Sequence, residues 1–172
     1  KVFADSTPQA LAGHDLVFLA LPHGQSAELI AQLPTEACIV DLGADFRLED
    51  GKDWHTYYGG AYAGSWTYGI PEIHGTREKI SGSTRVANPG CYATSIELGL
   101  APLLAANAID AKDIIVVAAS GTSGAGRGAK VNLLNSEVAG SMSAYKVGGT
   151  HQHTPEIEQI LSKLAGTEVQ IN

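Results

Sequence analysis

The sequence predicts an α/β protein whose first half contains a parallel sheet. Residues 15–21 and 37–41 are continuous apolar runs, as expected for strands that are buried on both faces. Between them, Leu29, Ile30 and Leu33 recur at helical spacing, and Pro34 ends that helix. A strand, a short helix and a second strand form a βαβ unit, in which the two strands run parallel.

The second half continues with strands and helices. Residues 83–87 and 113–119 are predicted strands, the latter buried. Between them an apolar helix face is predicted, with Pro102 expected to kink the helix or to start a second one. A last helix is predicted with Thr154 as N-cap and Pro155 as its first residue. Its apolar face consists of Ile157, Ile160, Leu161 and Leu164.

Residues 51–69 hold both tryptophans and four of the six tyrosines. Because no period of a helix or a strand fits them, we expect a long ordered loop pinned by aromatic contacts. Such a loop either covers a functional site or subunit contact, or is a surface loop without a function of its own.

Composition excludes several classes of function. The net charge is −7 and no basic stretch occurs, which argues against nucleic acid or an anionic membrane as partner. No run of roughly 18 apolar residues predicts a membrane-spanning helix. Two cysteines form no disulfide framework, so the prediction is a protein of the reducing cytoplasm.

The segment Pro89-Gly90-Cys91 forces a turn directly before a predicted helix. The unpaired amides and the dipole at a helix start favour negative charge, and hence the thiolate form in which cysteine attacks. Cys91 is therefore either a nucleophile or an inert packed thiol; the spacing alone leaves both open.

Two histidines and a carboxylate cluster at the start of the last helix. In an extended segment His151 and His153 face the same side, and Glu156 follows in the first helical turn. A histidine there would donate and accept protons near neutral pH. The spacing lacks the helical pair of a zinc site, and ordinary surface or capping histidines are the alternative.

Two loops follow predicted strands, the position at which α/β sheets bind ligands. The glycine-rich segment 121–128 matches neither phosphate-binding glycine motif, so a plain turn is as good an interpretation. In the segment 41–47, the planar fork of Arg47 would suit a phosphate, whereas a surface ion pair with Asp45 or Glu49 is the alternative.

Taken together, the motifs resemble the N-acetyl-gamma-glutamyl-phosphate reductase family of semialdehyde dehydrogenases. The resemblance runs along the whole chain, in the family's order: LALPHG (19–24), VDLGADFRL (40–48), YGIPE (68–72), NPGCYAT (88–94), SGTSGAGR (120–127) and HQHTPEI (151–157). One departure is Ser95, where the family usually has glycine or alanine. Nothing matches the family's opening glycine-rich loop for the NADP pyrophosphate, and the family continues beyond Asn172.

This resemblance implies an internal fragment with two truncated parts. Residues 1–90 would be the second part of a Rossmann-like, NADP-binding parallel-sheet domain, and residues 91–172 the start of an α+β catalytic domain. It further implies an enzyme that is a homo-oligomer at full length, and we expect the 172-residue segment alone to be inactive.

The activity that the resemblance implies is NADPH-dependent reduction of N-acetyl-L-glutamyl 5-phosphate to the 5-semialdehyde and phosphate, in arginine biosynthesis. Cys91 would form a thioester, NADPH would reduce it, and no metal would take part. Either histidine would handle protons, with His153 preferred over His151, and Glu156 and Tyr145 would orient it. The cofactor contacts would be Pro22, His23, Ser123 and Gly124, and the substrate contacts Arg47, Arg127 and Asn88.

Three alternatives remain. An aspartate-semialdehyde dehydrogenase-like acyl-phosphate reductase shares fold and mechanism, but its cysteine motif differs and it lacks HQHTPEI. A Cys-His hydrolase would use no nicotinamide. The third is a non-catalytic binding module, since the segment lacks the pyrophosphate loop.

Overall fold

A computed structural model describes residues 2–125 and 128–172. Its centre is a four-stranded parallel sheet with strand order β1-β2-β4-β3. The strands are β1 (Val17–Leu19), β2 (Ile39–Asp41), β3 (Thr67–Tyr68) and β4 (Arg85–Ala87). The predicted α/β class and the parallel pairing of the first two strands are therefore confirmed.

Within the described residues there are seven helices, of which the first precedes β1 and the others connect or follow the strands. They are α1 (Pro8–Leu11), α2 (Gln25–Ile30), α3 (Gly51–Tyr57), α4 (Thr76–Ser81), α5 (Cys91–Ala105), α6 (Asn135–Val138) and α7 (Thr154–Ala165), with short 3-10 turns at Thr122–Ala125 and Val131–Leu133. Among the described residues, no helix has the length and apolar character needed to cross a bilayer.

The sheet and the two longest helices build separate parts of the core. One apolar cluster joins β1 and β2 to α2, with Ile39 fully buried and Val17 and Ile30 nearly so. A second lies where α5 packs on α7, around Ala93 and Leu161, which have no exposed surface. The apolar face predicted for α7 is thus turned inwards: Ile157 and Leu161 pack in the cluster shared with α5, and Ile160 packs on Ile70 and Ile73.

The prediction of a loop over 51–69 was wrong in part, because this segment contains α3 and the edge strand β3. Asp50 caps α3 by accepting a hydrogen bond from the Lys52 amide at 2.8 Å. With Trp54 as its one buried residue, α3 is too short to show a helical period. The aromatic contacts themselves are present: Trp54 stacks on Tyr58 with ring centroids 4.7 Å apart.

Three further boundaries differ from prediction. The predicted buried strand 113–119 is reduced to an isolated parallel bridge between Ile114 and Ile171. Val117 is 95% exposed, because no strand of the described residues pairs beside it. Helix α5 continues through Pro102, which lies in its last turn. Helix α7 begins one residue early, so that His153 rather than Thr154 is the N-cap.

Candidate active site

The parallel register brings the ends of all four strands to one edge of the sheet. Leu19 lies opposite Asp41, Asp41 opposite Ala87, and Ala87 opposite Tyr68. The segments that follow these residues therefore leave the sheet side by side, at the edge where α/β proteins bind ligands. They carry the predicted site residues Pro22, His23, Arg47, Asn88 and Cys91.

Cys91 is the exposed first residue of α5. Gly90 is the N-cap and provides no side-chain hydrogen bond to the first turn, while its carbonyl accepts from the Thr94 amide at 2.8 Å. The first amides of this 15-residue helix are therefore open to an anion at the thiol. The other cysteine, Cys38, is half-buried.

Gly90 is required because the His153 ring occupies the place of a side chain. A β-carbon at residue 90 would lie 2.3 Å from His153 Nε2 and 2.4 Å from Cε1. Gly90 has φ −67°, a value that any residue adopts, so the constraint is steric and not conformational. This contact puts the imidazole of the α7 N-cap against the residue that precedes Cys91.

The two histidines pack on each other. Their ring centroids are 4.7 Å apart, and the His153 backbone amide donates to His151 Nδ1 at 3.0 Å. His151 in its neutral form therefore carries its proton on Nε2. Burial, followed by the nearby His151, lowers the pKa of His153 to about 3, and burial also lowers the pKa of His151. Both rings are thus neutral bases at neutral pH.

His153 Nδ1 is buried and has no hydrogen-bond partner in the part of the chain that the structure describes. A buried ring nitrogen left without a partner is free to bond to a ligand group. In the same described part, Cys91 Sγ makes no hydrogen bond to either imidazole. The thiol and the imidazole are thus brought to the same turn but not into a bonded pair.

Aromatic residues of α3 hold the histidine segment. Tyr57 donates to the Gly149 carbonyl at 3.1 Å, and the hydroxyl of Tyr58, which follows α3, donates to the Gln152 carbonyl at 3.3 Å. His23 contacts Tyr58 edge-on, with ring centroids 5.0 Å apart. The aromatic segment 51–69 therefore contacts the candidate site.

Arg47 is buried and is largely committed to protein acceptors. Its Nε donates to the Asn88 carbonyl and its Nη2 to the Leu42 carbonyl, both at 2.8 Å. Its Nη1 lies 3.6 Å from Glu156 Oε2. These contacts tie the β2 and β4 ends to α7 and replace the surface ion pair that the sequence offered as an alternative.

Glu156 belongs to a buried network of side chains. Its Oε1 accepts from the Gly90 amide at 2.8 Å and lies 2.7 Å from the Tyr68 hydroxyl. The same hydroxyl lies 2.9 Å from Oε1 of Glu97, which has no exposed surface. Sequence reasoning missed Tyr68 and Glu97. The available signal was that Glu97 is the one charged residue of the sequence 91–105.

Of the remaining predicted residues, Tyr145 is the one that the described part of the chain places beside a histidine. Tyr145 is 54% exposed and meets the His151 ring edge-on at 5.7 Å. It lines a cavity of about 300 Å³ together with Tyr92, Val147, His151, Thr154 and Ile157. Ser123 and Gly124 lie in the exposed 3-10 turn, and Arg127 lies outside the described residues.

The carboxyl edge of the sheet suits a nicotinamide cofactor. Pro22 and His23 are exposed just beyond β1, and Leu42 beyond β2 is 43% exposed. Asp41 is buried beneath them, and its Oδ2 has no hydrogen-bond partner among the described residues. The exposed residues beyond β1 and β2 thus offer surface to a bound ring, whereas the Asp41 oxygen lies below that surface. Within the described residues, no group of three or more potential ligands suits a metal ion.

Comparison with known proteins gives the family. The model of the semialdehyde dehydrogenase NAD binding domain matches residues 1–83, and that of the semialdehyde dehydrogenase dimerisation domain matches residues 91–172. The chain belongs to the semialdehyde dehydrogenase family. The resemblance predicted from the motifs is thereby confirmed.

Curated relatives match the chain over all or nearly all of its length. Proteins named N-acetyl-gamma-glutamyl-phosphate reductase are similar to the chain: that of Acidothermus cellulolyticus is 60% identical over 172 residues, and that of Streptomyces coelicolor 53%. Each match covers 100% of this chain and 50% of the relative. The relative from Salinispora tropica is 61% identical over 158 residues, which is 92% of this chain and 47% of the relative. The chain thus spans about half the length of these curated relatives.

Proposed function

We propose that the full-length protein is an NADPH-dependent acyl-phosphate reductase. It reduces N-acetyl-L-glutamyl 5-phosphate to N-acetyl-L-glutamate 5-semialdehyde and phosphate, a step of arginine biosynthesis, in the cytoplasm. The names of the relatives support the substrate, and the NAD binding domain supports the nicotinamide.

One observation carries the proposal: the exposed thiol at the start of α5 lies directly after the glycine against which His153 packs. A thiolate stabilised by open helix amides is a nucleophile, and a neutral imidazole beside it is a base. This pairing of groups is what acyl transfer through a cysteine requires.

The chemistry follows from these groups. The Cys91 thiolate attacks the carbonyl carbon of the acyl phosphate, and phosphate leaves with the electrons of the broken C–O bond, which gives a thioester. A bound nicotinamide supplies the hydride that reduces the thioester carbonyl. The resulting hemithioacetal collapses, the C–S bond breaks, and the semialdehyde departs while the thiolate is restored. The N–H of the neutral His153 ring, or of His151, donates a hydrogen bond to the oxyanion of the hemithioacetal, and no net proton transfer is needed.

The remaining residues have supporting roles. Arg47, which is buried and bonded to the Asn88 and Leu42 carbonyls, acts on the departing phosphate through its charge at the carboxyl edge, and Asn88 and Arg127 are further substrate contacts. Pro22, His23, Ser123 and Gly124 are the candidate nicotinamide contacts, and Tyr145 orients an imidazole. Residues 1–90 supply the cofactor side and residues 91–172 the catalytic side, and the dimerisation domain supports a homo-oligomer.

Substitution of Cys91 tests the proposal. In the full-length protein, Cys91→Ser should abolish phosphate-dependent oxidation of the semialdehyde, followed as NADPH absorbance, because the hydroxyl is a far weaker nucleophile. NADP binding, followed as a thermal shift, should survive. Cys38→Ser is the matched control and should retain activity.

Turnover by the Cys91 variant would refute the assignment of the nucleophile. The alternatives give other results: a Cys-His hydrolase gains no thermal stability from NADPH, and an aspartate-semialdehyde dehydrogenase-like enzyme prefers aspartate semialdehyde to the N-acetylglutamate compound.

A further inference from the structure

Three elements meet at the Tyr68 hydroxyl. Tyr68 ends β3, Glu97 lies in the second turn of α5, and Glu156 lies in the first turn of α7. The hydroxyl is 2.7 Å from Glu156 Oε1, 2.9 Å from Glu97 Oε1 and 3.2 Å from Glu97 Oε2. Both carboxyl groups are fully buried.

Proton counting fixes the charge of this network. A phenol carries one proton and can donate to one carboxylate only. If both glutamates were ionised, one of the two short oxygen–oxygen contacts would hold no hydrogen and would bring two lone pairs together. One carboxyl group must therefore be protonated and donate to the Tyr68 oxygen.

Glu97 is the group that holds this proton. Burial raises the pKa of Glu156 as well, but the Arg47 guanidinium, 3.6 Å from Oε2, and the Gly90 amide, which donates to Oε1, oppose this shift, so Glu156 is the better placed of the two to be the anion. Within the described residues, Glu97 bonds to Tyr68 and forms no ion pair. Burial, followed by the charge of Glu156, raises the pKa of Glu97 to about 9, in agreement with the geometry.

The network ends at the catalytic turn. Because Glu156 holds the Gly90 amide, it fixes the residue between Cys91 and the ring of His153. Glu97 lies on the same helix as Cys91, six residues on. A hydrogen-bonded chain from Glu97 through Tyr68 to Glu156 therefore joins the starts of the two helices that carry the thiol and the imidazole.

We propose that Glu97, as a neutral acid, and Tyr68 are positioning residues that hold the Glu156 carboxylate on the Gly90–Cys91 turn in its catalytic geometry. This inference rests on the proposed function. Neither residue touches substrate. Loss of the Glu97 proton places two adjacent carboxylates in one buried site and pushes α5 and α7 apart, which ends activity.

The charged and titratable groups that face Glu97 are Tyr68 on β3, Glu156 on α7 and Arg47 in the loop after β2. The charge of Arg47 favours ionisation of Glu97, whereas the charge of Glu156 opposes it. Glu156 is the nearer of the two in the network, because both glutamates contact the Tyr68 hydroxyl. The pKa of Tyr68 is raised by burial and by both glutamates, so the phenol itself stays neutral.

The decisive variant is Glu97→Gln in the full-length protein. Its amide donates to the Tyr68 oxygen as the neutral acid does, so kcat at pH 7 should stay within about twofold of the unmodified enzyme. The fall of kcat near pH 9 that Glu97 ionisation causes in the unmodified enzyme should disappear. Glu97→Leu, which loses the donor, should lower kcat about tenfold with little change in KM, since such a loss costs about 1.4 kcal/mol.

Thermal unfolding gives a readout that is independent of activity. A raised folded pKa means that the unfolded chain releases the Glu97 proton above its ordinary pKa of 4.5, while the folded protein keeps it until about pH 9. The stability that this proton gives is thus lost between these values as pH rises. The Tm of Glu97→Gln minus the Tm of the unmodified protein should therefore increase from pH 5 to pH 8.5.

The control is Glu158→Gln, the same change on α7, at a carboxylate that accepts from the Ile171 amide. This variant should still show the fall of kcat near pH 9. Two results would overturn this inference and leave the proposed function intact. One is an active Glu97→Gln enzyme whose kcat still falls near pH 9. The other is a Tm difference between Glu97→Gln and the unmodified protein that does not change with pH. An unmodified protein without turnover overturns the proposed function and the positioning role with it, while the Tm series still decides where the proton lies.

Discussion

At the scale of single residues, the candidate site depends on one absent side chain. Gly90 lies under the His153 ring, and its amide is bound by Glu156. Gly90 therefore contacts both the N-cap residue and the first turn of α7. Its φ lies in the ordinary range, so a substitution there would act through contact alone.

Replacement of this glycine gives a sharp test. In the full-length enzyme, Gly90→Ala should lower kcat about 100-fold, because a β-carbon 2.3 Å from Nε2 displaces the imidazole by an ångström or more. Steady-state kinetics measures the effect. Gly99→Ala is the matched control on the same helix: nothing lies within 4 Å of its new β-carbon, so activity should persist and Tm should rise slightly. Full activity of Gly90→Ala would mean that the ring contact is unimportant.

Residue chemistry was only partly predictable from the sequence. Cys91 after Pro-Gly, and the pair His151 and His153, were visible as a turn, a helix start and an extended segment. Glu97 could not be identified in this way. The helix was predicted from the spacing of its apolar residues, and a single carboxylate among them has no spacing pattern of its own. Its role depends on Tyr68, which comes from an edge strand too short to be seen as one.

At the scale of elements, the packing of α5 on α7 sets the distance between the two helix starts. Leu161 lies in this contact and has no exposed surface, and Ala93 of α5 packs in the same cluster. Tight packing of this kind resists a change of volume, since the surroundings relax only partially around a cavity.

Truncation of Leu161 measures this contact. Leu161→Ala should lower the free energy of unfolding by about 2–5 kcal/mol, through lost burial and the cavity left behind. Denaturant unfolding gives the value. Leu103→Ala on α5, at a residue that is 41% exposed, should cost much less. Equal losses for the two variants would contradict the assignment of the buried face.

The first elements were predicted correctly, but burial of β1 on both faces was not: Phe18 at its centre is 65% exposed. Strands β1 and β2 with α2 between them followed from apolar runs and helical spacing. The prediction of a strand over 113–119 was wrong. An apolar run such as Ile114-Ile115-Val116-Val117 indicates that the segment tends to be buried. A regular strand also needs a neighbouring strand with which its backbone can pair, and here the pairing is a single bridge. The start of α7 was one residue off, within the usual uncertainty of a helix end.

At the scale of the whole molecule, pH acts through buried groups that shift in opposite directions. The pKa of His153 falls from 6.5 to about 3, so the unfolded chain binds a proton that the folded protein rejects. Stability from this residue is present above pH 6.5 and is lost as pH falls towards 3. Glu97 acts in the opposite sense across a higher window.

The acid limb is testable by thermal unfolding of the full-length protein. Tm should fall between pH 6.5 and pH 4, and His153→Asn should flatten this dependence, because asparagine takes up no proton. The exposed His55 provides the control: His55→Asn should leave the slope unchanged. An unaltered slope in His153→Asn would place the titrating group elsewhere.

The ring that rests on Gly90 also constrains how such a chain can diverge. A larger residue at position 90 is tolerable only where the imidazole has been lost or has turned away. Positions 90 and 153, 63 residues apart in the sequence, are therefore expected to vary together or not at all among homologues.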